Sequence, residues 1–227
     1  MKSLLENDLP AHYVIGRRCT CTELLTSACQ FDLTEDDHRF VVPYETGFAS
    51  FIANPFHLSV INYDTYMGRF SGTRMGDGKR RCDFILTDTD ANDLVILCEL
   101  TSSIGGTANL SLPITKTRRD GTQEMKFHGG KYEKAETQLS DTLDTLMAVP
   151  TIRRYVSGKK RKVCLMSYLI KPSKIPAVNA FNRNRMAEAE EAGENGAQIS
   201  LPQVEQYGFQ YFRISHKYAF CISNDDK

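Results

Sequence analysis

A chain of 227 residues, 41% of them hydrophobic, can bury one good-sized core without needing a second domain. Its 28 basic and 28 acidic side chains cancel, which excludes a global field drawing it to nucleic acid or to an anionic membrane and leaves any such attraction to local patches. No apolar run approaches the ~18 residues that cross a bilayer. Acids stand among residues 1–10, where a signal peptide would carry an apolar core, so the expected compartment is the cytoplasm.

In chain order, residues 22–31 read as a short helix and 45–53 as another, ended by Asn54-Pro55 because the residue before proline avoids helical geometry. The β-branched and aromatic residues of 56–67 predict a first strand, closed by a turn-rich segment over 68–79. Two apolar runs, 81–87 and 93–101, flank the turn-forming stretch 88–92 and predict a hairpin. The second run, DLVILCELT, is almost continuously apolar, as expected of a strand buried on both faces. Residues 104–130 hold glycines, a proline and KTRRDGTQEMK, with Asp120-Gly121 as a tight turn, and predict an inserted hairpin.

Tyr132, Ala135, Leu139, Leu143 and Leu146 recur at spacings of three and four and give the segment 131–149 one apolar helical face, stopped by Pro150. A strand over 161–170, a polar helix over 179–192, a loop over 193–196 and a closing hairpin of 209–215 with 218–223 complete the prediction. The expected architecture is a single α/β domain over 1–227, its core at about 56–172, with a mixed central sheet flanked by helices.

The seven cysteines are odd in number, and Cys82, Cys98, Cys164 and Cys221 stand in apolar runs, which suits buried reduced thiols. Cys19, Cys21 and Cys29 lie near His12 and His38, but Cys-x-Cys is a poor match to structural zinc spacing, and helix-packing thiols are favoured.

Chemistry concentrates on the predicted hairpin. Asp83 in RRCDFIL stands near the start of its first arm and Glu99 in ILCELT late in its second, a buried carboxylate that must be paired or bind a cation. Strand alternation puts Glu99 and Thr101 on one face. On the following helix Lys131, Lys134 and Gln138 share a stripe beside the apolar face.

Asp83, Glu99 and the pattern Lys131-x-x-Lys134-Ala135-x-x-Gln138-Leu139, in the order β-β-β-α-β, resemble the core of the PD-(D/E)XK, or restriction-endonuclease-like, nucleases over about 70 to 90 residues. The resemblance implies phosphodiester cleavage, in DNA before RNA, with Mg2+ held by Asp83, Glu99 and the Leu100 carbonyl and with Mn2+ able to substitute. The sequence departs from the family at Thr101, where a lysine is usual. Lys134 first and Lys131 second are expected to supply that cation from the helix. Glu45 is the expected early acid, with Glu23 as the alternative. Arg118, Arg119 and Lys126 on the inserted hairpin, Gln138, and Lys160 and Lys162 at the start of the fourth strand are the expected nucleic-acid contacts; the bland alternatives are an edge kept from aggregating for the hairpin, a solvated helix flank for Gln138 and a solvated turn for the lysines. His128 in its loop is a weaker candidate base. Double-strand cleavage by such folds favours a homodimer. The competing expectation is a catalytically inactive copy of the fold that binds nucleic acid or a protein.

Overall fold

The computed structural model describes the backbone of residues 1–104, 112–117, 123–128, 131–171, 193 and 195–223, and side chains within 1–101, 132–169, 193 and 195–223. It is an α/β fold built on a seven-stranded mixed sheet. The strands are β1 (Glu23–Thr26), β5 (Leu58–Asn62), β6 (Phe84–Asp88), β7 (Leu94–Ile104), β10 (Arg161–Lys171), β12 (Gln210–Ser215) and β11 (Ala197–Ile199), in that spatial order. From β1 to β7 neighbours run antiparallel; β7, β10 and β12 run parallel, and β11 turns back against β12. The parallel step from β7 to β10 needs a crossover. It carries a ribbon of β8 (Leu112–Thr117) and β9 (Gln123–His128), then α3 (Lys131–Met147) and α4 (Pro150–Ser157).

A sheet buried on both faces needs cover on both. One face receives α3 through Ala135, Leu139, Leu143 and Leu146, together with α4, the N-terminal π-turn Leu4–Asp8 and α1 (Leu9–His12), α2 (Tyr63–Gly68) and α5 (Pro202–Glu205). The other is covered by a four-stranded sheet in the order β13 (Ala219–Cys221), β4 (Ala49–Ile52), β2 (Phe31–Leu33) and β3 (Val41–Val42). Phe31, Phe51 and Phe220 of that sheet pack on Val60, Phe84, Leu86 and Ile96 of the large one. The expected α/β class and mixed sheet flanked by helices hold; the helices lie on one face, and a second sheet, not anticipated, covers the other.

Several local expectations change for the same reason. Residues 22–31 form β1 and the start of β2 instead of a helix, because Leu24 and Leu25 pair with Val60 and Ser59. Residues 45–53 form a turn and β4, with Ala49 and Phe51 alternately buried. The strand expected over 56–67 ends at Asn62, whose side chain accepts a hydrogen bond from the Thr65 N–H at 2.9 Å and so caps α2. The closing hairpin is also corrected: β12 pairs with β10 in the large sheet, whereas β13 pairs with β4 in the small one. There Phe220 packs edge-on against Phe51 and Phe212 in the core between the two sheets. Pro150 ends α3 and then serves as the first residue of α4, where its missing N–H costs nothing. The strand at 161–170, the hairpin arms and the long α3 stand where the sequence put them. The polar helix expected at 179–192 lies outside the described residues.

Candidate functional site

The site grows from a short segment, residues 80–83, stitched to both flanking helices. From α3, Asp141 accepts from the Arg80 N–H at 2.9 Å, the Gln138 amide donates to the Arg81 carbonyl at 2.8 Å, and Thr142 Oγ1 accepts from the Cys82 N–H at 2.9 Å. From the α2 side, the Asp83 carbonyl accepts from the N–H groups of Tyr63, at 2.8 Å, and Asp64, at 3.2 Å.

Strand β6 begins at Phe84, opposite Cys98, and extending that register by one residue sets Asp83 against Glu99. Beyond that point β7 has no further β6 residue beside it, and the Leu100 N–H donates to Asp83 Oδ2 at 2.7 Å instead. Alternation turns Glu99 and Thr101 toward α3. The result is a cavity of about 290 Å³ lined by Asp83, Glu99, Leu100, Thr101, Lys134, Gln138, Glu35 and Asp64.

Glu99 is only 3% exposed, and its Oε2 has no hydrogen-bond partner. Burial first, and then the neighbouring Asp83 charge, push its carboxyl up to about 10, with Lys134 and the Gln138 amide pulling it back. Asp83 is pushed up to about 7, again chiefly by burial; the Leu100 N–H opposes the shift, and the charges of Asp64 and Glu35 add to it. Two neighbouring carboxyl groups held this far above the ordinary range can share a proton, or give up protons when a positive charge comes between them.

Glu35 and Asp64 were not anticipated. An aspartate turn shapes the loop after β2: Asp36 accepts from the N–H groups of His38, at 2.8 Å, and Arg39, at 2.6 Å, so that Glu35 and Asp37 face the cavity region. Asp64 stands in the first turn of α2, and its Oδ1 lies 2.5 Å from Arg81 Nε. Glu35, Asp64 and Asp83 also line an adjoining hollow of about 200 Å³ with Asp37, Asn62 and Thr65. Asn62-Tyr63-Asp64, a capping residue followed by an acid after a strand, was the signal that could have found Asp64. No local pattern marks Glu35.

Glu45, expected as the early acid, is not brought to the cavity. It is exposed in the turn before β4, at φ 65°; Glu23 instead accepts from Ser59 at 2.6 Å and pairs with Lys2. Asp83 is not tied to Arg80 or Arg81, because Arg81 pairs with Asp64. Lys134 is brought to the cavity with Asp83 and Glu99.

Lys160 and Lys162 are not brought to the cavity. They flank Arg161, which is opposite Leu94, whereas Glu99 is opposite Met166, about 17 Å further along at ~3.3 Å per residue. There Lys160 pairs with Asp93, and Lys159 is buried against Asp88 at 2.7 Å. Arg118 and Arg119, and the side chains of Lys126, His128 and Lys131, lie outside the described residues. Cys19, Cys21 and Cys29 are free thiols.

Among the described residues, no group of three or more His, Cys, Asp and Glu side chains is drawn together as a ready-made metal centre. The donors present still suit a hard cation: carboxylate oxygens of Asp83 and Glu99, one of them buried without a partner, in a cavity also lined by Leu100. Among the described residues, no helix is long and apolar enough to cross a membrane. Compared with models of protein families, with curated proteins and with solved structures, the chain finds no match.

Proposed function

We propose that this chain is a metal-dependent nuclease of the PD-(D/E)XK, restriction-endonuclease-like class, hydrolysing phosphodiester bonds in DNA. The observation that carries the reading is Asp83, just before one strand, and Glu99, in the strand beside it, lining one cavity with Lys134, with a buried Glu99 oxygen left unpartnered. The succession β5, β6, β7, α3, β10, an antiparallel meander followed by a helix and a parallel return, supports the fold assignment.

Asp83, Glu99 and the Leu100 carbonyl would hold Mg2+ or Mn2+, which when bound supplies charge neutralisation at the phosphate and a more acidic water. In the hydrolysis, the water oxygen bonds to phosphorus and the bond to the leaving ester oxygen breaks. One water proton passes to a cavity carboxylate, and the leaving oxygen is protonated from solvent. Lys134 offsets the negative charge that accumulates, the task a strand lysine would perform at Thr101. Glu35 and Asp64 add outer carboxylates that draw cations toward the mouth.

A second reading, an inactive module of the same fold that binds nucleic acid or a protein, is favoured by one observation: Thr101, 7% exposed, lines the cavity where the lysine would stand. Mn2+-dependent cleavage of plasmid and single-stranded DNA, with Glu99→Ala beside the wild type, separates the readings. Cleavage abolished in the variant supports the nuclease. No cleavage with DNA still bound supports the module, and loss of both turns attention to a protein partner.

A further inference from the structure

Gln138 was expected to touch nucleic acid, but its surroundings suit a different task. Its amide nitrogen donates to the Arg81 carbonyl at 2.8 Å, and only the NH2 end of a carboxamide can donate, so the orientation of the group is fixed. The other end, Oε1, is shut off from solvent without a hydrogen-bond partner, in a side chain that lines the cavity beside Glu99, whose Oε2 is likewise unpartnered. A buried acceptor held rigidly in place and left unsatisfied calls for a donor that arrives later.

We propose that Gln138 is a positioning residue for the attacking water, its Oε1 accepting one hydrogen bond from that water and aiming the lone pair at phosphorus. The proposal rests on the nuclease reading and deepens it. Thr101 cannot perform this positioning with a cation, and Lys134, one helical turn before Gln138, is exposed, so charge and orientation are divided between two residues of α3. An amide has no charge to gain or lose near neutrality, so this contribution is independent of pH.

The test pairs a crystal structure of the wild type soaked in Mn2+ with single-turnover cleavage of plasmid DNA. An ordered water on Gln138 Oε1 is expected. Gln138→Met should cleave about a hundredfold more slowly, the scale of a misplaced reactant, while keeping the rise in melting temperature that Mn2+ gives. Thr142→Val removes a neighbouring tie between α3 and the 80–83 segment, the bond to the Cys82 N–H, and should slow cleavage by no more than a few-fold. Three outcomes overturn the assignment: Oε1 dry or bonded to the Lys134 ammonium, Gln138→Met within a few-fold of wild type, or Thr142→Val as damaged as Gln138→Met. A wild type that cleaves with Oε1 dry sinks the Gln138 role alone. A wild type that holds the water but cleaves nothing sinks the nuclease reading, and the catalytic role with it.

Discussion

Asp83 immediately precedes the strand that sets Phe84 opposite Cys98, so continuing that register brings it beside Glu99, and the Leu100 N–H that holds the first carboxylate at 2.7 Å is supplied by the residue that follows the second. One peptide unit thus links the two acids. Their separation is set by sheet geometry rather than by flexible side chains, and the low-dielectric wall around them raises both proton affinities.

That elevation has a consequence for stability. Both groups bind protons more tightly folded than unfolded, so their contribution is fully present below the unfolded values near pH 4 and is lost as pH rises through about 7 for Asp83 and about 10 for Glu99. Metal-free protein should melt at progressively lower temperature from pH 5 to pH 9. Asp83→Asn and Glu99→Gln should flatten the curve and raise the melting temperature at pH 8, at roughly 2–4 °C per kcal/mol for a chain of this size. Scanning calorimetry in EDTA reads it, and variants melting below wild type at pH 8 would refute the assignment of strain to these acids.

In the proposed site a cation would compete with those protons. Mg2+ or Mn2+ should raise the melting temperature more at pH 8 than at pH 6, because a ligand that binds only the folded state stabilises it in proportion to its affinity. Glu99→Gln should abolish the rise. A rise equal at both pH values would place the ion elsewhere.

In the proposed mechanism Lys134 supplies the charge that Thr101 lacks. Lys134→Met should slow cleavage by about 10² to 10³, the usual loss on removing a group that stabilises transition-state charge. Adding Thr101→Lys to that variant should restore part of it, since residue 101 faces the same cavity. Full activity in Lys134→Met would remove the lysine from the mechanism.

At the far end of the sheet, Lys159 Nζ meets Asp88 Oδ1 at 2.7 Å, both side chains 1% exposed, and reaches the Ala91 carbonyl at 3.2 Å. Lys159→Met leaves a buried carboxylate uncompensated and should cost about 3–5 kcal/mol. Because the pair lies away from the cavity, cleavage per folded molecule should hold. Urea denaturation with activity measured in parallel checks both halves.

Residues 94–101 were legible as a buried strand because a near-continuous apolar run admits few alternatives, and α3 because Ala135, Leu139, Leu143 and Leu146 keep one helical period. Glu99 stood out because a carboxylate inside such a run is costly to bury without a reason, and Asp83 through its place near the start of the neighbouring hairpin arm. Residues 22–31 and 45–53 misled because four-residue strands carry too little alternation to betray themselves, and their burial comes from partners distant in the chain.

The sequence by itself determined the buried strand that carries Glu99, the helix bearing Lys134 and Gln138, and the crossover between that strand and the next, since the apolar run and the helical period are local. Tertiary structure alone decided that a second sheet covers the far face, that Glu35 and Asp64 line the cavity while Glu45 does not, and that Gln138 is locked by the Arg81 carbonyl. Those facts depend on which distant strands pair and which backbone groups are left over at a strand's end, and no spacing along the chain records that.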